Sequence, residues 1–393
     1  MSIPSGVNKS VVYSKETTWN VKPLANSGKY FRRVSLDLNL TRDSYESAEI
    51  SSTAQTLDAR NGSDKVDGKL SAEMSCGSYD LFWAALLRGA WTAGSTTTAT
   101  TISFTTGTIV RSVGSWITDG FKVGDTVQIT GSVVSSGANN KYVTITAVTA
   151  LVLTADTTFV VEAAGPSITV VAKGKKLQTP LLPSGRTNDS FTIEQWYDNI
   201  SVSRVASGVK VNSASIKIDP NAMATVEFGL MGASMASTGS AYFTTPASAS
   251  TTGVLTGSAG ALYIGGTKIA TVTSISAEID GGMEAGTVIG TRTAADIFLG
   301  RITAKGSFSA YFVDDTIFQQ FINETDTSLV FRLDGPTGQI FNLKFPRIKI
   351  MGAPVSDAEV GGLVQSIEFT ALLNDGTDMT KEQSTVVIQD SSL

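Results

Sequence analysis

The chain of 393 residues has no histidine and a single cysteine. Without histidine there is no Ser-His-Asp or Cys-His catalysis, no His-ligated zinc and no unperturbed imidazole to act as a pH switch. One cysteine excludes an intrachain disulfide and leaves no thiolate cluster for a metal. Cys76 itself reads as a small buried residue near a strand end rather than a nucleophile. Charged residues are few, at 17% of the chain, and sum to −5. That leaves no basic footprint for nucleic acid, and a weakly acidic protein repels DNA passing near it. No apolar run reaches bilayer-spanning length. The start, Met1-Ser-Ile-Pro-Ser-Gly6, lacks a charged segment leading into an apolar core, so it is not read as a signal peptide. The expectation is synthesis and retention in a reducing cytoplasm until assembly.

What the chain does contain is Thr, Ser, Gly and Ala mixed with β-branched residues, a composition that favours strands. Its length holds two or three domains with cores of their own. One small pattern also occurs twice. Gly68-Lys-Leu-Ser-Ala72 runs into a helix carrying Phe82, Trp83, Leu86 and Leu87. Gly306-Ser-Phe-Ser-Ala310 runs into a helix carrying Ile317, Phe318, Phe321 and Ile322. Both quartets are spaced i, i+1, i+4, i+5, which is one stripe of a helix and predicts a packed core face.

The elements around each quartet repeat as well. Val34, Leu36, Leu38 and Leu40 alternate along a strand over 31–40, and Val272, Ile275, Ala277 and Ile279 mark another over 271–279. A polar loop follows each strand. Thr41 to Asp67 carries Arg42, Asp43, Glu46, Glu49, Asp58, Arg60 and Asp64; Gly281 to Arg301 carries Glu284, Arg292 and Asp296. Long ordered loops are commonly binding elements. Ser78 or Asp80 is placed to cap the first helix, and Asp314 or Asp315 the second. Later, Ala224-Thr-Val-Glu-Phe-Gly-Leu230 parallels Gln365-Ser-Ile-Glu-Phe-Thr-Ala371. In the second unit the helix leads within a few residues to the next strand, whereas in the first about a hundred residues intervene. Short strands at regular spacing in that interval read as an inserted barrel or sandwich. Its flanks, Ala93 to Thr97 and Lys173 to Lys176, read as linkers, so its deletion is expected to leave the remainder intact. The division is therefore 1–97 with 174–240 as a first unit, 98–173 as the insert, 241–262 as a connector and 263–393 as a second unit.

No residues form a catalytic, cofactor or metal constellation. Val123-Gly-Asp125 is a turn without a phosphate-loop pattern. Gly281-Gly282 and Gly361-Gly362 read as bends, and the aspartates near 37 and 43 lack calcium-loop spacing. Trp196 and Tyr197 read as core or interface rather than a sugar platform.

The order of these segments resembles the major tail (tail tube) proteins of long-tailed, non-contractile bacteriophages. The resemblance rests on the strand at 31–40, Ser44-Tyr-Glu-Ser-Ala-Glu-Ile50, Val66-Asp-Gly-Lys-Leu-Ser-Ala72, the helix from Ser78 to Leu87, Ser190 to Trp196, and Val209 to Phe228. No single motif is diagnostic. It covers about 31–230 apart from the insert, and reaches the second unit through the repeat. The fold class it implies is mainly β: two tandem tail-tube-like sandwich or barrel domains, each with one packed helix, plus the small all-β insert. It also implies a structural virion protein, not an enzyme, that needs no cofactor. Duplication suggests trimeric, pseudo-hexameric rings stacked into the hollow tube that delivers DNA, which passes without specific binding. The acidic and basic residues of the two loops become candidates for ring stacking. Tape measure, tail terminator and distal tail proteins become the expected partners. The virion tail is the expected location, and the insert the expected exterior feature. Two alternatives remain open: a terminator or baseplate-hub ring protein of the same fold, and a β-rich adhesin or carbohydrate-binding protein.

Overall fold

The computed structural model describes residues 3, 6–50, 52–357 and 361–393. Most of Met1 to Gly6, weighed above for a signal pattern, lies outside the described residues. The architecture is mainly antiparallel β with two short α-helices. The first half comprises β1 (Lys9–Lys15), β2 (Lys29–Tyr30), β3 (Ser35–Glu46), β4 (Ala59–Glu73), α1 (Asp80–Leu87) and β5 (Thr92–Ala93). A separate group follows: β6 (Thr96–Ala99), β7 (Ile102–Phe104), β8 (Thr108–Arg111), β9 (Thr126–Thr130), β10 (Tyr142–Val148), β11 (Val152–Ala155) and β12 (Ile168–Ala172). The first half resumes with β13 (Lys175–Gln178), β14 (Phe191–Tyr197), β15 (Val202–Ile218), β16 (Thr225–Gly232) and β17 (Ser234–Thr238). The second half comprises β18 (Gly260–Ile264), β19 (Thr267–Ile269), β20 (Val272–Asp280), β21 (Glu284–Gly286), β22 (Asp296–Phe298) and β23 (Thr303–Tyr311). It ends with α2 (Thr316–Ile322), β24 (Thr327–Asp334), β25 (Ile340–Gly352), β26 (Val364–Leu372) and β27 (Val387–Asp390).

The two halves pair their strands in the same order. In the first, β3–β4–β16–β15 form a ladder and β15 continues through β14 to β1. In the second, β20–β23–β26–β25 form the ladder and β25 continues through β24 to β18. β15 and β25 are long because each serves two layers. The C-terminal part lies in the first-named ladder, here the inner layer, and the N-terminal part in an outer layer. Even the irregularities recur. β15 is bulged between Val211 and Ser213 against β16, and β25 between Ile350 and Gly352 against β26. β15 carries a second bulge between Ala206 and Val209 against β14, and β25 one between Phe345 and Ile348 against β24. Bulges bend and re-aim strands, so their recurrence at matching ladder positions means the same bend is made twice. The repeated glycines share one cause. A methyl on Gly68 would overlap the carbonyl oxygen of Asp37, and one on Gly306 that of Ser276, the residues at matching places on β3 and β20.

One register differs from the sequence match. Phe228 faces Leu70, but Phe369 faces Gly306, so the ladder equates Phe369 with Leu230. A slide of two residues keeps every side chain on its face, because the strand period is two.

Between the layers lies one continuous core. Phe82 of α1 sits among Tyr13, Phe31, Phe191 and Phe228, with ring centroids 4.7 to 5.6 Å apart. Trp83, Leu86 and Leu87 are buried beside it. Each such side chain stabilises the fold by roughly 1.5–3 kcal/mol. The helix ends where Arg88 turns left-handed (φ 55°). Neither Ser78 nor Asp80 caps it, since the N-cap position is Tyr79, which makes no side-chain cap. At α2 the cap position is Asp315, also without a side-chain cap, while Asp314 accepts from the Thr316 N–H at 2.9 Å.

The strands β6 to β12 form their own seven-stranded sheet around a separate core that includes Phe104, Trp116, Phe121, Val127 and Ile168. Their flanks are not linkers. β5 pairs with β13, and β13 pairs with β27, so the root of this unit is stitched into the outer layer of the second half. The segment 41–67 is likewise not an open loop. β3 and β4 run on as a two-stranded ribbon to Glu46 and Ala59. The ribbon is polar on both faces and so shows no apolar alternation. The strand also starts at Ser35 rather than 31, leaving Val34 67% exposed. Within 281–301, β21 and β22 form a short ribbon of their own.

Candidate assembly interface

The inner ladders of the two halves are joined edge to edge. Ser213–Ile218 of β15 pair with Asp280–Ile275 of β20, giving a continuous sheet β3–β4–β16–β15–β20–β23–β26–β25. Its ends correspond to the strands of that seam. At one end, among the described residues, β3 has no strand on its outer edge. The carbonyls of Leu36 and Leu38 instead accept hydrogen bonds from Lys9 Nζ (3.1 Å) and Gln195 Nε2 (2.7 Å). At the other end, Gly352 to Ser356 follow β26 on one side only: Ser366 N–H donates to the Pro354 carbonyl and Ser356 N–H to that of Val364. The N–H that proline lacks falls on this inner side; the Ala353 carbonyl accepts from Gln365 Nε2 at 3.1 Å, and the backbone groups of Val355 are directed outward. Side-chain guards of this kind are a common way of protecting an open edge.

One face of this sheet is apolar and faces the core; the other is polar. Asp37, Asn39, Lys217, Glu278, Lys305 and Glu368 are exposed on it. Lysines here have carboxylate partners: Lys69–Glu227 at 2.8 Å, Lys305–Glu278 at 3.2 Å and Lys217–Asp219 at 3.0 Å. The Glu227 hydrogen bond holds the Lys69 ammonium above its ordinary pKa. The paired cations leave the face without free basic charge for phosphate.

The ribbon residues expected to act in stacking are largely paired with one another. Arg42 meets Asp64 at 2.6 Å, Lys65 meets Asp43 at 2.9 Å and Arg60 meets Asp58 at 2.8 Å. Glu46, Glu49 and Glu284 are exposed. The second ribbon leans onto the first, with Asp64 N–H donating to the Arg292 carbonyl at 2.8 Å. Asp296 is an internal anchor: buried Lys210 reaches its Oδ1 at 3.0 Å and the Ile297 carbonyl at 2.6 Å. Sequence reasoning missed Lys210, and also Arg88, whose guanidinium holds the carbonyls of Gly281 (2.7 Å) and Gly300 (2.6 Å) across the joint. Both are cations on otherwise apolar stretches, a signal that went unused.

The two helices differ. Of the second quartet, Ile317 and Phe321 pack partly on the core, but Phe318 is 38% and Ile322 55% exposed. The expectation of a fully packed stripe therefore fails for those two, because among the described residues none covers the outer side of α2.

The outer layer carries the insert. On β24 and β25, Phe331, Leu343 and Phe345 face the core, while Arg332, Asn342 and Lys344 face the other way. Arg332 donates to Thr144 Oγ1 at 2.6 Å and Asn342 to Thr126 Oγ1 at 2.8 Å. Lys344 Nζ meets Asp125 at 2.7 Å and also Glu382, and Lys176 completes the cluster on Asp125 at 2.6 Å. The insert thus sits on the side of the second half opposite the polar inner face. Burial pushes the Cys76 thiol well up, so it is not a thiolate at neutral pH. Among the described residues no three His, Cys, Asp or Glu side chains converge as a metal site, and no helix is long and apolar enough to cross a membrane.

A mainly β chain whose halves repeat one ladder, joined edge to edge with matching edges left at its ends, defines an assembly subunit. The phage tail tube protein family matches residues 6–371, and the chain belongs to that family. It is a structural component of the phage tail tube. No curated protein matches it.

Proposed function

We propose that three copies close a ring of six quasi-equivalent units and that rings stack into the tube that delivers DNA. The observation that carries this reading is the β15–β20 seam, whose counterparts at the chain ends lie open. Repeating that seam between chains pairs Gly352–Ser356 of one copy with Thr41–Asp37 of the next. Such a contact joins two different surfaces, so it closes into a ring when its rotations sum to a full turn. The number three comes from the family's six-membered rings. The polar face of the inner sheet then lines the channel, where paired lysines and surplus carboxylates let DNA slide. The insert, 98–173, projects from the exterior. The units are 1–97 with 174–240 and 263–393, and 241–262 passes between them. Synthesis in the host cytoplasm and contacts with tape measure, terminator and distal tail proteins follow from the family resemblance.

Averaged end-on electron micrographs test the ring, with three outer lobes around six inner ones expected. The seam is tested by the pair Asp37→Cys and Ser356→Cys in one chain. Oxidation should give a ladder ending at a covalent trimer. A ladder ending at another number would overturn the count, and no cross-link in imaged rings would overturn the register. Rings that never stack would make the chain a cap rather than a tube.

A further inference from the structure

The exposed side of α2 has a covered counterpart within the same chain. Trp83 of α1, which corresponds to Phe318, is 3% exposed and packs against Phe341 of the second half at a ring-centroid distance of 6.2 Å. Just beyond α1, Arg88 is held by the Gly281 and Gly300 carbonyls, at the root of the second half's ribbon. Lys210 of β15 is held by Asp296 and Ile297 of that ribbon. The second half therefore covers the first half's helix at Trp83 and holds Arg88 just beyond it and Lys210 on β15. In the second half the matching positions are open. Phe318 and Ile322 are exposed, and Lys349, the counterpart of Lys210, meets the exposed Glu324 at 3.3 Å.

We propose that the outer side of α2 (Phe318, Ile322) together with Lys349 is a subunit contact occupied by a second copy of this chain. The occupant is the first half of the next copy: the start of β15 at Val202, which matches Phe341, and the root of its β3–β4 ribbon at Arg42 and Gly62, which match Gly281 and Gly300. Apolar surface is available on that ribbon, where Tyr45 is 60% exposed and lies over Gly62. The inference rests on the ring reading and adds to it a contact away from the strand seam. Apolar side chains at the centre of an interface carry much of its affinity.

The test uses the full chain with Phe318→Asp and Ile322→Asp combined, and separately Phe318→Cys. Both residues are exposed in the single subunit, so thermal unfolding of the double variant at a concentration where only monomer exists should match the parent. Its assembly midpoint, read by light scattering and sedimentation, should rise by about tenfold or more. The Phe318→Cys thiol should react freely with a maleimide in monomer and be protected in rings, with buried Cys76 as the internal control. Rings that form at the parent's concentration in the double variant, or a thiol equally reactive in monomer and ring, would overturn this contact while leaving the ring intact. A parent chain that never forms rings at any concentration would overturn the ring reading and this contact with it.

Discussion

The first and second halves share a ladder, two bulges and one glycine contact, but they are covered differently. The outer layer of the first half is closed by the chain around it. Glu194 accepts the N–H groups of Tyr242 (2.6 Å) and Phe243 (2.9 Å), and Glu16 accepts the N–H of Gly208 at 2.9 Å and the hydroxyl of Thr192 at 2.7 Å. The second half has no such wrapping, and the insert that departs from the first half covers it instead. At matching places on the long strands stand Val205, buried opposite Glu194 of β14, and Lys344, buried against two carboxylates. Copying a ladder thus preserved what the backbone needs, while each outer surface was solved afresh by whichever segment reached it.

The largest expected contrast is between the helices. Trp83→Ala removes a fully packed indole and should destabilise the isolated chain by about 3–5 kcal/mol. Phe318→Ala should change it by less than about 1 kcal/mol. Urea denaturation of monomer measures both, and equal losses would mean that α2 is covered within one chain. Next is Lys344→Ala, which leaves Lys176 alone against the buried Asp125 and Glu382 and should cost about 3 kcal/mol. Removing residues 96–172 takes away Asp125 and leaves Glu382 alone against Lys344 and Lys176. That deletion should therefore destabilise the second half, contrary to the expectation drawn from linker-like flanks. Adding Lys344→Met to the deletion should recover part of the loss; a deletion as stable as the parent would show that the cluster is dispensable. A smaller effect, roughly 2 kcal/mol, is expected for Gly68→Ala and again for Gly306→Ala, because β4 and β23 must shift from a neighbouring carbonyl. Loss at one glycine but not the other would break the equivalence of the two ladders.

Much of this architecture was legible in the residues. Period-two alternation over 271–279 marked β20 to within a residue, and the glycine-led repeat marked the two helices. The polar ribbon beyond Leu40 was not legible, because a ribbon exposed on both faces has no apolar phase to reveal it. β5 and β13 were hidden by the Gly, Ser and Lys in and beside them, which read as linker although β5 pairs with β13 and β13 with β27. Exposure of Phe318 was invisible for another reason: its spacing is that of a core residue, and a helix face meant for another subunit looks the same as one meant for its own core. The latch residues Asp125 and Lys344 lie far apart in sequence, and only the fold brings them together.

The smallest expected effect separates the two outer surfaces by pH. Burial disfavours the charged form of Asp125, but the attraction of Lys176 and Lys344 outweighs it and holds the carboxyl below its ordinary range. Burial likewise opposes the Lys344 charge, while Asp125 and Glu382 more than compensate and hold it above its ordinary value. A depressed carboxylate stabilises the fold fully above its unfolded pKa of about 3.9, and that stability is lost as pH falls through the folded value. A raised ammonium stabilises fully below about 10.4, and that stability is lost as pH rises through its folded value. The insert should therefore stay docked between about pH 4 and pH 10 and loosen outside that window. Hydrogen exchange of β25 and β27 amides after brief exposure to acid would register the loosening. The variant Asp125→Leu, Lys344→Met, Glu382→Gln should lose this dependence at β25 while the amides around Val205 behave as in the parent. Unchanged acid sensitivity at β25 in that variant would move the cause away from the cluster and onto the carboxylates that the first half also buries.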